Sequence, residues 1–146
     1  MKRMVSLLIS IGCALAGCYL RPIATNSPKS SEGVHVTLVG QECVDRMGSE
    51  GDPVSRSLAV KLKVDNPTTE QLRFETRRAE LKVEEDIRIP IRESENVLVA
   101  PGDSREVELE YLHHSLCAQD FAIELDKALT VGGRPVEIAA LHFSAQ

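Results

Sequence analysis

Residues 57–65 read SLAVKLKVD, and they decide the fold. Leu58, Val60, Leu62 and Val64 occupy every second position, while Ala59, Lys61, Lys63 and Asp65 fill the gaps. Successive side chains of an extended strand point to opposite faces, so this period of two puts the aliphatic groups on one face and the charges on the other. Such a segment predicts a strand with one buried and one wet face. It stops at Asn66-Pro67-Thr68-Thr69, where Pro67 fixes φ and has no N–H to donate to a ladder.

The same period runs outward in both directions. Val34, Val36 and Leu38 alternate with His35, Thr37 and Val39; further pairs or triplets are Leu72 and Phe74, Leu81 and Val83, Ile87, Ile89 and Ile91, and Val97 and Val99. A turn at Ala100-Pro101-Gly102-Asp103 follows. Val107, Leu109 and Tyr111 then alternate with Glu106, Glu108 and Glu110, which predicts a strand whose acidic face is solvated. Near the end, Gly132-Gly133 separates Leu129 and Val131 from Val136 and Ile138, the pattern of a closing hairpin. HSLCAQDFA, residues 114–122, is compatible with one helical turn at most. About eight short strands without a long helix predict an all-β sandwich over residues 33–146.

The first residues have a different character. Lys2 and Arg3 precede a 13-residue apolar run, Met4–Ala16, that ends in small residues. This is the form of a secretory signal peptide over residues 1–17, and it falls short of the roughly 20 residues a membrane-spanning helix needs. Leu15-Ala16-Gly17-Cys18 resembles the lipobox of bacterial lipoproteins. The resemblance implies cleavage before Cys18 and a diacylglycerol thioether on its sulfur, with further acylation of the new amino terminus. A single acyl chain binds a membrane marginally, whereas two or more hold stably at roughly 0.8 kcal/mol per buried methylene. Tyr19, rather than Asp, follows Cys18, which in the enterobacterial sorting rule resembles an outer-membrane address facing the periplasm.

Residues 18–32 continue with YLRPIATNSPKSSE after the cysteine and show neither period, predicting a lipidated Cys and a flexible linker. Loss of the leader takes Lys2 and Arg3 with it and brings the net charge from −5 to −7 over 129 residues, one domain's length. An acidic chain disfavours nucleic acid as a partner. Aromatic residues are 3% of the chain and Trp is absent, so the stacking platforms used for sugars and single strands are missing.

KLKVDNPTTEQLRF (Lys61–Phe74), AELKV (Ala79–Val83) and VLVAPGDSREVELEY (Val97–Tyr111) in succession resemble the late-embryogenesis-abundant type 2, or water-stress-and-hypersensitive-response, domain family. The resemblance implies an immunoglobulin- or fibronectin-like β-sandwich and no catalytic residue. One departure is Glu84-Glu85-Asp86, which stands where the family carries a glycine-containing turn.

Candidate chemistry is sparse. Cys13 leaves with the leader and Cys18 takes the lipid, leaving Cys43 and Cys117 as a candidate disulfide for an oxidising compartment. The loop closed by that bond would be about 74 residues, worth on the order of 4 kcal/mol by chain entropy. His113, His114, Cys117 and Asp120 form the one cluster of metal-ligand types, although adjacent histidines on a strand face opposite ways and a bridged cysteine cannot ligate. Glu84, Glu85, Asp86, Glu93 and Glu95 lack the spacing of a calcium loop. Serine elbows, phosphate-cradling glycine loops and zinc-helix motifs are absent, and Gly48–Gly51 is an isolated turn. The expectation is a non-catalytic lipoprotein without a cofactor beyond its lipid, serving as an interaction or scaffold module for an envelope protein partner. A periplasmic ligand or metal binder using His113 and His114 is the alternative.

Overall fold

The computed structural model describes residues 22–46, 55–92, 95–112 and 119–145. Within them the chain forms twelve strands: β1 (Ile23–Ala24), β2 (His35–Arg46), β3 (Ser55–Asp65), β4 (Leu72–Glu75), β5 (Leu81–Val83), β6 (Asp86–Arg88), β7 (Asn96–Val99), β8 (Ser104–Leu112), β9 (Phe121–Ile123), β10 (Leu129–Val131), β11 (Arg134–Pro135) and β12 (Leu141–Ser144). A single 3₁₀ turn, Thr76–Arg78, follows β4. The strands pair antiparallel into three sheets ordered β1-β12-β9-β5-β6, β11-β10-β4-β7 and β2-β3-β8. No helix among the described residues is long and apolar enough to cross a membrane.

The all-β sandwich predicted from the period of two is what forms. Leu58, Val60, Leu62 and Val64 are fully buried on β3, the centre of its sheet. They meet Val34, Val36, Leu72, Phe74, Leu81, Val107, Leu109 and Leu129 in one aliphatic core. Phe121 and Phe143 stack at its edge with ring centroids 4.5 Å apart. Burying so many branched side chains supplies the apolar area that offsets chain entropy without help from tryptophan. The predicted closing hairpin is also present. Thr130 and Val131 pair with Pro135 and Arg134, and Gly132 and Gly133 adopt φ of +56° and +80°, as a two-residue turn of this hand requires.

Three expectations are corrected. Residues 22–32 are not a free linker: β1 pairs with β12, Pro22, Pro28 and Ser30 are buried, and the Asn26 side chain donates to the Ala140 carbonyl at 2.8 Å and accepts from His142 N–H at 2.7 Å. The segment has no period because it lies along the sandwich through turns and side-chain bonds rather than through a long ladder. Ile87, Ile89 and Ile91 do not supply core; Ile87, on the outermost strand β6, is 57% exposed, and Ile89 and Ile91, beyond the end of β6, are 48% and 45% exposed. Glu110, expected on a solvated face, is 4% exposed.

Candidate functional site

Of the residues singled out for chemistry, Cys18, His113, His114, Cys117 and Glu93 lie outside the described residues. Cys43 stands on β2 opposite Leu58, half-buried and packed against the core. Glu84, Glu85 and Asp86 are exposed at the turn joining β5 to β6, and Glu84 takes φ +52° there, the left-handed conformation that the turn imposes without a glycine. Among the described residues no group of three His, Cys, Asp or Glu side chains is arranged to hold a metal.

β8 carries the one buried carboxylate among the described residues, Glu110. The Glu110 carboxylate accepts Ser57 Oγ at 2.8 Å and Arg92 Nε at 3.4 Å, while Arg92 Nη2 donates to Glu108 at 3.1 Å. The hydrogen bond to Glu110 is the main cause of a raised Arg92 pKa, partly opposed by desolvation. Tyr111 donates to the Ala79 carbonyl at 2.7 Å, and burial pushes its hydroxyl pKa up. These contacts tie the segment around residues 79–92 to β8.

The outward face of β4 and β10 carries a different arrangement. Alternation along β4 turns Leu72 and Phe74 inward and leaves Gln71, Arg73 and Glu75 outward. Arg73 pairs with Leu98 on β7 and with Thr130 on β10, and Thr130 pairs in turn with Pro135, so the cation sits in a cross-strand row Pro135–Thr130–Arg73–Leu98. Arg73, Glu75, Arg78, Lys127, Thr130 and the Gly132-Gly133 turn line a concavity of about 340 Å³ over this face. Arg78 Nε is paired with Glu75 at 3.0 Å, and Lys127 Nζ with Glu80 at 3.7 Å. Glu70, beside the Gly132 turn, is taken by Arg134. Arg73 alone among the cations lining the concavity has no carboxylate partner among the described residues.

Chemically the concavity can hold an anion, and it offers no nucleophile and general base placed together. Arg73 was not among the candidates read from the sequence. Its one signal is a charge between two core residues, Leu72 and Phe74, a pattern shared with Lys61 and Lys63. What sets Arg73 apart is the β4–β10 pairing, which is remote in sequence. No family model, curated protein or solved structure matches the chain.

Proposed function

We propose that the protein is a lipoprotein of the bacterial envelope, fixed to the outer membrane by lipid on Cys18, whose β-sandwich is a non-catalytic interaction or scaffold module facing the periplasm. The observation that carries this reading is Leu15-Ala16-Gly17-Cys18 closing a basic-then-apolar leader. The all-β body that follows that motif in the chain, with Ile23 and Ala24 already paired in a sheet, supports it. Its partners are the membrane, through the lipid, and an envelope protein.

A Cys43–Cys117 disulfide belongs to the same reading. Leu58 pairs with Cys43 on one side and Tyr111 on the other, and Cys117 follows Tyr111 by six residues, so the sequence between has only a short span to cover. The likeness to the late-embryogenesis-abundant type 2 domain rests on Lys61–Phe74, Ala79–Val83 and Val97–Tyr111 in succession, and two of these segments carry the Asn66-Pro67 and Pro101-Gly102 turns. Asn66 N–H donates to the Asp103 carbonyl and Gly102 N–H to the Asn66 carbonyl, so the two motifs meet in space.

The test is the mass of the amino-terminal peptide of protein isolated from its own cells. The expected peptide starts at Cys18 and carries a diacylglyceryl group, and Cys18→Ser leaves the leader uncleaved. An amino terminus that is unlipidated overturns the anchor. For the module, crosslinking in intact cells is expected to capture one discrete envelope protein, with capture lost when residues 1–18 are removed. Thiol labelling of unfolded, unreduced protein that finds both Cys43 and Cys117 reactive rules out the bridge.

A further inference from the structure

We infer that the concavity on the outward face of β4 and β10 is a carboxylate-binding subsite, with the Arg73 guanidinium as its anchor. The chain carries a net −5, yet this concavity is lined by Arg73, Arg78 and Lys127 against one carboxylate, Glu75. Glu75 and Glu80 already occupy Arg78 and Lys127, and the Glu70–Arg134 pair stands at the glycine turn, leaving one cation open in the middle.

The position of that cation favours pairing. Leu98 and Thr130 flank Arg73 in the cross-strand row, so the guanidinium leaves the sheet between an apolar side chain and a hydroxyl. A planar guanidinium donates two parallel N–H bonds to a carboxylate, which adds direction to the charge attraction. Arg78 and Lys127 are held by their own carboxylates, which leaves Arg73 as the uncompensated charge, and Thr130 Oγ1 is a further donor on the same row. The volume, about 340 Å³, is at the small end of ligand clefts, so it fits one acidic group with a short stem. That group is either a small free dicarboxylate or the glutamate or aspartate of a protein partner. The inference does not depend on the lipid anchor.

The experiment follows the arginine Nε–Hε resonances of the full-length ¹⁵N-labelled protein in detergent micelles, with the Arg73 signal assigned by its loss in Arg73→Gln. Four probes are titrated: glutarate, glutaramide, acetyl-Gly-Glu-Gly-amide and acetyl-Gly-Gln-Gly-amide. The expected result is a saturable shift at Arg73 with glutarate, with the Glu peptide, or with both, and none with either uncharged probe. Response to glutarate alone identifies a small acid as the ligand class, and response to the peptide alone identifies a protein partner. Binding followed by calorimetry should fall by about tenfold or more in Arg73→Gln and by less in Arg73→Lys, which keeps the charge and loses the fork. Arg73 is exposed, so the melting temperature of both variants should match the parent and separate lost binding from lost fold. Absence of a saturable shift with both acidic probes, equal binding of the uncharged ones, or an undiminished affinity in Arg73→Gln overturns the assignment.

Discussion

The Asn66 side chain donates to the Glu70 carbonyl at 2.9 Å and the Val99 carbonyl at 3.0 Å, and accepts from the Thr68 N–H at 3.1 Å and hydroxyl at 2.6 Å. One buried amide thus clasps the turn after β3 to the end of β7. Asn66→Ala strands those carbonyls, and its stability in urea should fall by about 2 kcal/mol. Asn66→Asp tests the direction of the bonds, because an ionised carboxylate has no proton to donate to the carbonyls. Crowding by carbonyl oxygens raises its pKa above the unfolded value, so stability present below about pH 4 is lost as pH rises through the folded pKa. Near pH 7 the Asp variant should be less stable than the Ala variant, and near pH 4 the gap should close. Tyr111 gives the second residue-scale test. Its folded pKa is raised by burial, so above about pH 10 the unfolded chain ionises first and stability declines. Tyr111→Phe should lose about 1 kcal/mol at neutral pH, where the Ala79 carbonyl loses its donor, and its urea midpoint should decline less steeply above pH 10 than the parent's.

At the scale of elements, β8 separates what periodicity tells from what it omits. Glu106, Glu108 and Glu110 share a face by alternation, yet Glu110 is buried while Glu106 and Glu108 are exposed. The reason is non-local: Ile91 N–H donates to the Glu110 carbonyl at 2.8 Å, so the chain around residues 89–92 crosses that end of the strand and brings Arg92 onto the carboxylate. Glu110→Ala should therefore cost about 2 kcal/mol, with Glu108→Ala within about 0.5 kcal/mol of the parent, both read from urea midpoints. The inward rows of β3, β4 and β8 were legible because alternation fixes which side chains share a face. Ile87, Ile89 and Ile91 were misread because alternation does not say whether anything packs over that face, and all three side chains are exposed. Arg73 escaped for a related reason: its isolation from carboxylates comes from pairings among β4, β7 and β10 that no local pattern encodes.

For the whole molecule, the docking of residues 22–29 on the sandwich bears on how a lipid on Cys18 would act. The Gln41 amide donates to the Pro22 carbonyl, and Lys29 bridges to His35, so residues 22–29 follow β2 over roughly 20 Å. With lipid on Cys18, only the bonds from Cys18 to Pro22 separate the membrane from the sandwich, a reach of at most ~14 Å. The domain is then held against the headgroups by one end instead of sampling space on a long leash. That end is fixed by register: Ile23 pairs with Ser144, Phe143 with Phe121, and β5 turns into β6 on the same side, at Glu84-Glu85. His35, Asp65 and Ser104 align at the other end. In phosphatidylcholine vesicles holding the lipidated protein, a fluorophore at Glu85→Cys should be quenched by headgroup nitroxide lipid, and one at Arg105→Cys should stay bright. A long Gly/Ser spacer inserted between Cys18 and Pro22 should abolish the difference. Protein shown by mass to be lipidated but equally bright at both positions defeats the short leash while leaving the anchor intact. Protein without lipid defeats the anchor itself. A short leash would also select among partners, because whatever met the membrane-proximal end of the sandwich would have to reach it at the bilayer surface.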